Sequence, residues 1–218
     1  MKMKRTLFIG LTMVALILCL TMVAHASLVE NGSFETGNFV PGPNACMSLT
    51  VGSSELTGWS IVNGEVGWGT TPNPYGAMAS DGIHFVNLRG CYATEYGGVS
   101  QAITTTENQM YRLSFDLYAG GGANWGPSTV LVNVDNSSFY FTADWSTEYY
   151  WSPFILNFIA ESTITPISFI AASDAHNISI DNVSVAPVPL PATILLFGTG
   201  VACLAGTKIK RRRMFSTS

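Results

Sequence analysis

From Tyr111 to Ala119 an apolar or aromatic side chain falls on every second residue, at 111, 113, 115, 117 and 119, with Arg112, Ser114 and Asp116 between the first four. A period of two puts one set of side chains on one face of an extended chain and the rest on the other, which a helix cannot do. Val130, Val132 and Val134 repeat the pattern up to the turn pair Asp135-Asn136, as do Phe154, Leu156 and Phe158, and again Ile167, Phe169 and Ala171. Shorter runs at Trp59–Val62, His84–Leu88 and Val99–Ile103 bring the expectation to roughly eight to ten short strands. Such alternation implies antiparallel sheets with one face on a core. The intervening segments are rich in Gly, Asn and Pro, and strong helix formers are scarce. The expected architecture is therefore all-β, an antiparallel sandwich of jelly-roll type.

Both ends of the chain read differently. Residues 1–26 have the parts of a secretory signal peptide: Lys2, Lys4 and Arg5, an apolar centre from Leu7 to Val23, and the small-residue site Ala24-His25-Ala26. Residues 188–218 open with Val188-Pro189-Leu190-Pro191, continue as an apolar stretch from Ala192 to Gly206, and then carry Lys208, Lys210, Arg211, Arg212 and Arg213. The apolar stretch is at the short end for a transmembrane helix, and the basic cluster would stop it on the cytoplasmic side. Residues 27–187 remain as one domain of ordinary size, with no linker or repeat inside it.

Removing the ends changes the charge. Only Arg89 and Arg112 are basic between Ser27 and Pro187, whereas all 14 acidic residues lie there, so the middle stands near −12 while the whole chain reads −4. An acidic domain repels phosphate backbones, and nucleic acid is excluded as a partner.

The tail resembles the PEP-CTERM sorting signal of Gram-negative envelope proteins. The matching residues are Val188, Pro189, Leu190, Pro191, Ala192 and Thr193, then Leu196-Phe197-Gly198-Thr199-Gly200, then Arg211, Arg212 and Arg213; the family's Glu between the prolines is Leu190 here. The resemblance implies an exosortase-type membrane protease as partner, a membrane-anchored intermediate held by the C-terminal helix, and a final place on the cell surface or in extracellular matrix. A simple C-terminal anchor is the alternative reading. A sortase signal fails because Ile194 follows Leu190-Pro191-Ala192-Thr193 directly, and a GPI signal would carry no basic cluster beyond its apolar end.

The middle has its own resemblance. Glu30-Asn31-Gly32-Ser33-Phe34-Glu35, Leu56-Thr57-Gly58-Trp59, Asp81-Gly82 with Val86-Asn87-Leu88, Gly98-Val99-Ser100-Gln101 and Ile180-Asp181-Asn182-Val183-Ser184-Val185 occur in that order. The series resembles DUF642-type, galactose-binding-like jelly rolls and carbohydrate-binding modules. It implies a noncatalytic domain that binds extracellular polysaccharide or glycoconjugate. In the resembled modules the Glu and the Asp of these motifs lie side by side, often around a structural calcium, so the resemblance implies a Ca²⁺ site at Glu35 and Asp181. The alternative is that Asp181 caps a turn and Glu35 is a solvated edge residue. Between them the apolar parity shifts from Ile178 and Ile180 to Val183 and Val185, which predicts a β-bulge at Asp181-Asn182.

Cys46 and Cys91 are the two cysteines of the middle. In an oxidising compartment they are candidates for a disulfide; the alternative is two free thiols, since a metal or redox pair needs closer spacing or more ligands. Among the five tryptophans Trp59 reads as core. Trp68, Trp125 and Trp145 sit in turn-rich stretches, where an exposed ring can stack on a sugar while Tyr75, Asn124, Asp144 and Tyr149 bond its hydroxyls. The alternative is that these rings seal loops onto the sandwich. No nucleophile elbow or zinc spacing occurs around His84 and His176, which argues against an enzyme.

Overall fold

The computed structural model describes residues 26–72, 78–92, 96–120, 126–144, 150–173, 175 and 177–189. After one turn of 3-10 helix (Pro43–Ala45) come eleven strands: β1 (Cys46–Thr50), β2 (Ser60–Val62), β3 (Glu65–Thr70), β4 (His84–Asn87), β5 (Gly98–Thr104), β6 (Met110–Gly120), β7 (Ser128–Val134), β8 (Ser137–Ala143), β9 (Trp151–Ile159), β10 (Ile164–Ala171) and β11 (Asn177–Pro187). They make a six-stranded sheet, β1-β3-β4-β11-β6-β9, and a five-stranded one, β2-β5-β10-β7-β8. Every pairing between strands is antiparallel. The fold is the jelly-roll sandwich that the alternation implies.

The period-two positions form the core. Leu113, Phe115 and Leu117 of β6 face Val130 and Val132 of β7 and Ile167 and Phe169 of β10, all buried. Phe115 and Phe169 meet edge-on across the two sheets at 5.1 Å, and Trp59 packs on Phe169 at 6.3 Å, the edge-to-face geometry that aromatic quadrupoles favour. The bulge is present: the β11–β6 register shifts between Asp181 and Ser184, and Asn182 takes φ 51°. Ile178 and Ile180 before it, and Val183 and Val185 after it, all reach the core.

Three strands were not legible in the pattern: β1, β3 and β8. In β3 the glycines on either side of Trp68 read as a turn, but each marks a close approach. A Cβ on Gly67 would stand 2.8 Å from Cys46 Sγ, and one on Gly69 would stand 2.8 Å from the Phe85 ring. Trp68 consequently alternates inward, fully buried in the core. The reading of Trp68 as an exposed sugar-stacking ring is corrected here: two glycines let rings and sulfur cover the outer face, and the indole fills the inner one. Cys46 and Cys91 form the disulfide, with Cα atoms 5.8 Å apart. It lies over Gly67, tying β1 to the segment after β4.

Candidate functional site

Two regions carry polar geometry beyond what the core requires. The first is a clasp on the segment between Ser80 and His84. Glu35 Oε1 accepts the backbone N–H groups of Ile83 and His84 at 2.8 and 2.6 Å. Asp181 Oδ2 accepts those of Ser80 and Asp81 at 2.7 and 2.9 Å, and Asp181 Oδ1 accepts that of Asn182 at 2.7 Å. Asp81 in turn accepts the Ser33 hydroxyl at 2.6 Å, and Asp116 accepts the Ser80 hydroxyl and the Asn182 amide. The motif around Glu35 explains its placement. Asn31 bonds Thr36 in both directions and reaches the Thr57 carbonyl, Phe34 turns into the core at φ 58°, and its carbonyl accepts Trp68 Nε1.

Glu35 and Asp181 are thus brought to one segment, as their motifs imply. Amide hydrogen meets Glu35 Oε1 and both Asp181 oxygens. A hard cation needs six to eight oxygens around it, and N–H groups present the positive ends of their dipoles to the same positions. Among the described residues no group of three or more His, Cys, Asp or Glu side chains is arranged to hold a metal. In this arrangement the residues fit a loop clasp and not a calcium shell. Asp181 is fully buried, and burial pushes its carboxyl up to about 7 against the pull of its three N–H donors, with neighbouring Asp81 adding to the rise.

The second region is the open face of the five-stranded sheet. Strand register lines up Ser60 of β2, Ser100 of β5, Ser168 of β10, Asn133 of β7 and Ser138 of β8 in one row across all five strands. The spacing of paired strands makes that row about 19 Å long. Ser138 donates to Asn133 Oδ1 at 2.7 Å, and Asn133 Nδ2 donates to the Ser168 hydroxyl at 3.0 Å, so these three hold one another in place. The adjoining row is Val62, Gly98, Ile170, Leu131 and Tyr140, with Tyr140 69% exposed. At the β2 end the row opens into a hollow of ≈ 460 Å³ lined by Glu30, Gly58, Ser60, Ser100, Ala102 and Thr104 among others. Gln101 fixes its rim from behind, bonding the Glu30 N–H, the Glu30 carbonyl and the Gly58 carbonyl. Sequence reading missed this row, because single Ser and Asn residues on alternating strands look like ordinary solvent-facing positions until register aligns them.

Of the loop residues expected to bind sugar, Asp144 is exposed just beyond β8, and Tyr75, Asn124, Trp125, Trp145 and Tyr149 lie outside the described residues. The tail residues from Leu190 onward, including Pro191, Ala192, Thr193 and Arg211 to Arg213, and the segment 1–25 also lie outside them; Val188 and Pro189 are described. No helix among the described residues is long and apolar enough to cross a membrane. Trp151, which the sequence did not single out, packs on Tyr118 and Phe85 at 5.4 and 6.1 Å and donates to the Met78 carbonyl. His84 is buried between Phe39 and Trp68.

Comparison with known proteins agrees with both halves of the chain. Halomucin of Haloquadratum walsbyi is 30% identical over 166 residues, 73% of this chain, and the chain spans 2% of that protein's length. Among solved structures, the carbohydrate-binding module TmCBM61, determined with β-1,4-galactotriose, is 15% identical at a TM-score of 0.46, covering 74% of this chain and 99% of its own. A family 35 carbohydrate-binding module from Clostridium thermocellum is 16% identical at a TM-score of 0.43, covering 65% and 99%. Residues 187–213 match the PEP-CTERM protein-sorting motif, which marks an exported protein processed at the membrane. Residues 27–186 match the family described as protein of unknown function (DUF642), and the chain belongs to that family.

Proposed function

We propose that this chain is a noncatalytic envelope or matrix protein, delivered by an exosortase-type system, whose jelly roll binds extracellular polysaccharide or glycoconjugate. The row Ser60, Ser100, Ser168, Asn133 and Ser138 carries this reading. A sugar chain offers alternating hydroxyl edges and apolar ring faces. A line of hydroxyl and amide groups answers the first, and the neighbouring apolar row with the Tyr140 ring answers the second. The two rows themselves carry no charge, which suits neutral sugars, and Glu30 stands at the hollow beyond their β2 end. In this reading Glu35 and Asp181 serve the Ser80–His84 segment and not a cation, and Trp125 and Trp145 are a second pair of candidates for sugar contact.

The test is a glycan-array screen of residues 27–187 with Asn133→Ala and Tyr140→Ala beside the parent. Saturable binding that both substitutions weaken at least tenfold supports the sheet face. Binding that survives both and falls on Trp125→Ala or Trp145→Ala moves the site to the loops. Silence on the array from a folded domain favours a structural matrix protein without a discrete ligand.

A further inference from the structure

Arg89 and Arg112 are the two Lys or Arg residues of the described chain, and Arg89 is buried, so Arg112 is its one exposed Lys or Arg. Its surroundings are largely apolar. On the outer face of the six-stranded sheet, strand register places Met110 beside Ile159, Arg112 between Ala186 and Asn157, and Ile155 opposite Ser114. Met110, Ile155 and Ile159 are 44%, 59% and 57% exposed. A single cation among exposed long apolar side chains is the composition of a surface that meets a lipid interface.

The position of the patch says which lipid. Val188, the first residue of the sorting motif, donates its N–H to the Met110 carbonyl at 2.9 Å, and its own carbonyl accepts Gln109 Nε2 at 3.3 Å. The domain therefore ends with no slack at the edge of this patch. From Val188 to Ala192, where the apolar stretch begins, four residues span at most about 14 Å when fully extended. The headgroup layer on each side of a bilayer is roughly 5–8 Å deep. A tail held in the bilayer leaves Met110, Ile159 and Arg112 within reach of the headgroups.

We propose that the face formed by Met110, Arg112, Ile155 and Ile159 rests on the phospholipid interface of the membrane that holds the sorting tail, with the Arg112 guanidinium on lipid phosphate and the apolar side chains beside it. A guanidinium matches a phosphate in a forked geometry, while the domain as a whole, with a net charge near −12 over residues 27–187, repels an anionic surface elsewhere. This rests on the reading of the tail as membrane-held.

The experiment uses residues 27–218 with Cys203→Ser, reconstituted into vesicles of phosphatidylethanolamine and phosphatidylglycerol. A polarity-sensitive fluorophore is attached at Ile159→Cys, and in a second sample at Tyr140→Cys on the other sheet. Expected is a blue-shifted emission at 159, shielded from an aqueous quencher, a water-like emission at 140, and return of the 159 signal toward water on Arg112→Glu. In the unlabelled chain, hydrogen exchange of residues 153–159 is expected to slow on vesicles, which keeps the test open should a labelled variant misfold. A chain that resists carbonate extraction but shows water-like probes at both positions and unchanged exchange overturns the lipid-facing surface alone. A chain that carbonate releases overturns the membrane-held tail and this surface with it.

Discussion

Gly32 lies flat against Val183: its carbonyl accepts the Val183 N–H at 2.9 Å, and a Cβ built on Gly32 would overlap the Val183 carbonyl oxygen. The contact joins the first motif of the domain to the residue just after the β11 bulge. Val183 sits there because the bulge returns the strand to core-facing parity. Gly32→Ala must therefore push two backbones apart, with an expected cost of about 1–3 kcal/mol, the usual range for overpacking. Chemical denaturation of the purified domain measures it; a change below 0.5 kcal/mol, about the scatter of neutral surface substitutions, would show that the contact is soft.

Asp181 holds three N–H donors with its two oxygens. Asp181→Asn turns one acceptor into a donor facing a donor, with an expected loss of about 1–3 kcal/mol for a buried unsatisfied pair. The pH dependence has a definite sign. Burial raises the folded carboxyl from 3.8 to about 7, so between those values the folded state binds more protons than the unfolded one. This group's contribution makes stability fall as pH rises from about 4 to about 7, on the order of 1 kcal/mol per pH unit at most, and then level off. Asp81 adds to the rise by charge repulsion, and Asp116 pairs with Asp181 in the β11–β6 register. Thermal melts across pH should show a flatter curve for Asp181→Asn than for the parent; identical slopes would remove Asp181 as the source.

Calcium gives an independent check on the clasp. With amide hydrogens on the carboxylates, addition of Ca²⁺ or of a chelator is expected to leave the melting temperature unchanged. A bound cation would raise stability with concentration through mass action and would reverse the pH slope by holding Asp181 ionised. Either response would show that the Ser80–His84 segment re-forms around an ion.

The Cys46–Cys91 disulfide closes a separation of 45 residues. Its removal by Cys46→Ser with Cys91→Ser is expected to cost about 3–4 kcal/mol from loop-closure entropy in the unfolded chain. Denaturation of the double variant reads this directly, and a loss under 1 kcal/mol would mean that unfolded-state compactness dominates.

Trp68 and Tyr140 separate structure from binding. Trp68→Ala removes a fully buried indole and its bond to the Phe34 carbonyl, an expected loss of about 3–5 kcal/mol. Tyr140→Ala, at an exposed position, is expected within 0.5 kcal/mol of the parent in stability while lowering glycan affinity at least tenfold. Paired denaturation and binding titrations of the two variants test the assignment of opposite roles.

Alternation alone determined most of this protein. The strands carrying Tyr111–Ala119, Val130–Val134, Phe154–Phe158 and Ile167–Ala171 are present as the period requires, and so is the parity break that marks the bulge, because side-chain direction in a strand is a local property. The all-β fold, the acidic middle and the basic ends follow from residues read one at a time. Tertiary structure decided the rest. Whether Gly67 and Gly69 make a turn or a strand depended on Cys46 and Phe85, which approach from 21 and 16 positions away in sequence. That choice turned Trp68 from a surface ring into a core one. The Ser-Asn row exists only once five strands pair in register, and the Glu35–Asp181 clasp only once residues 146 positions apart meet one loop. Such sites are sums of long-range pairings, and no local period in the chain encodes them.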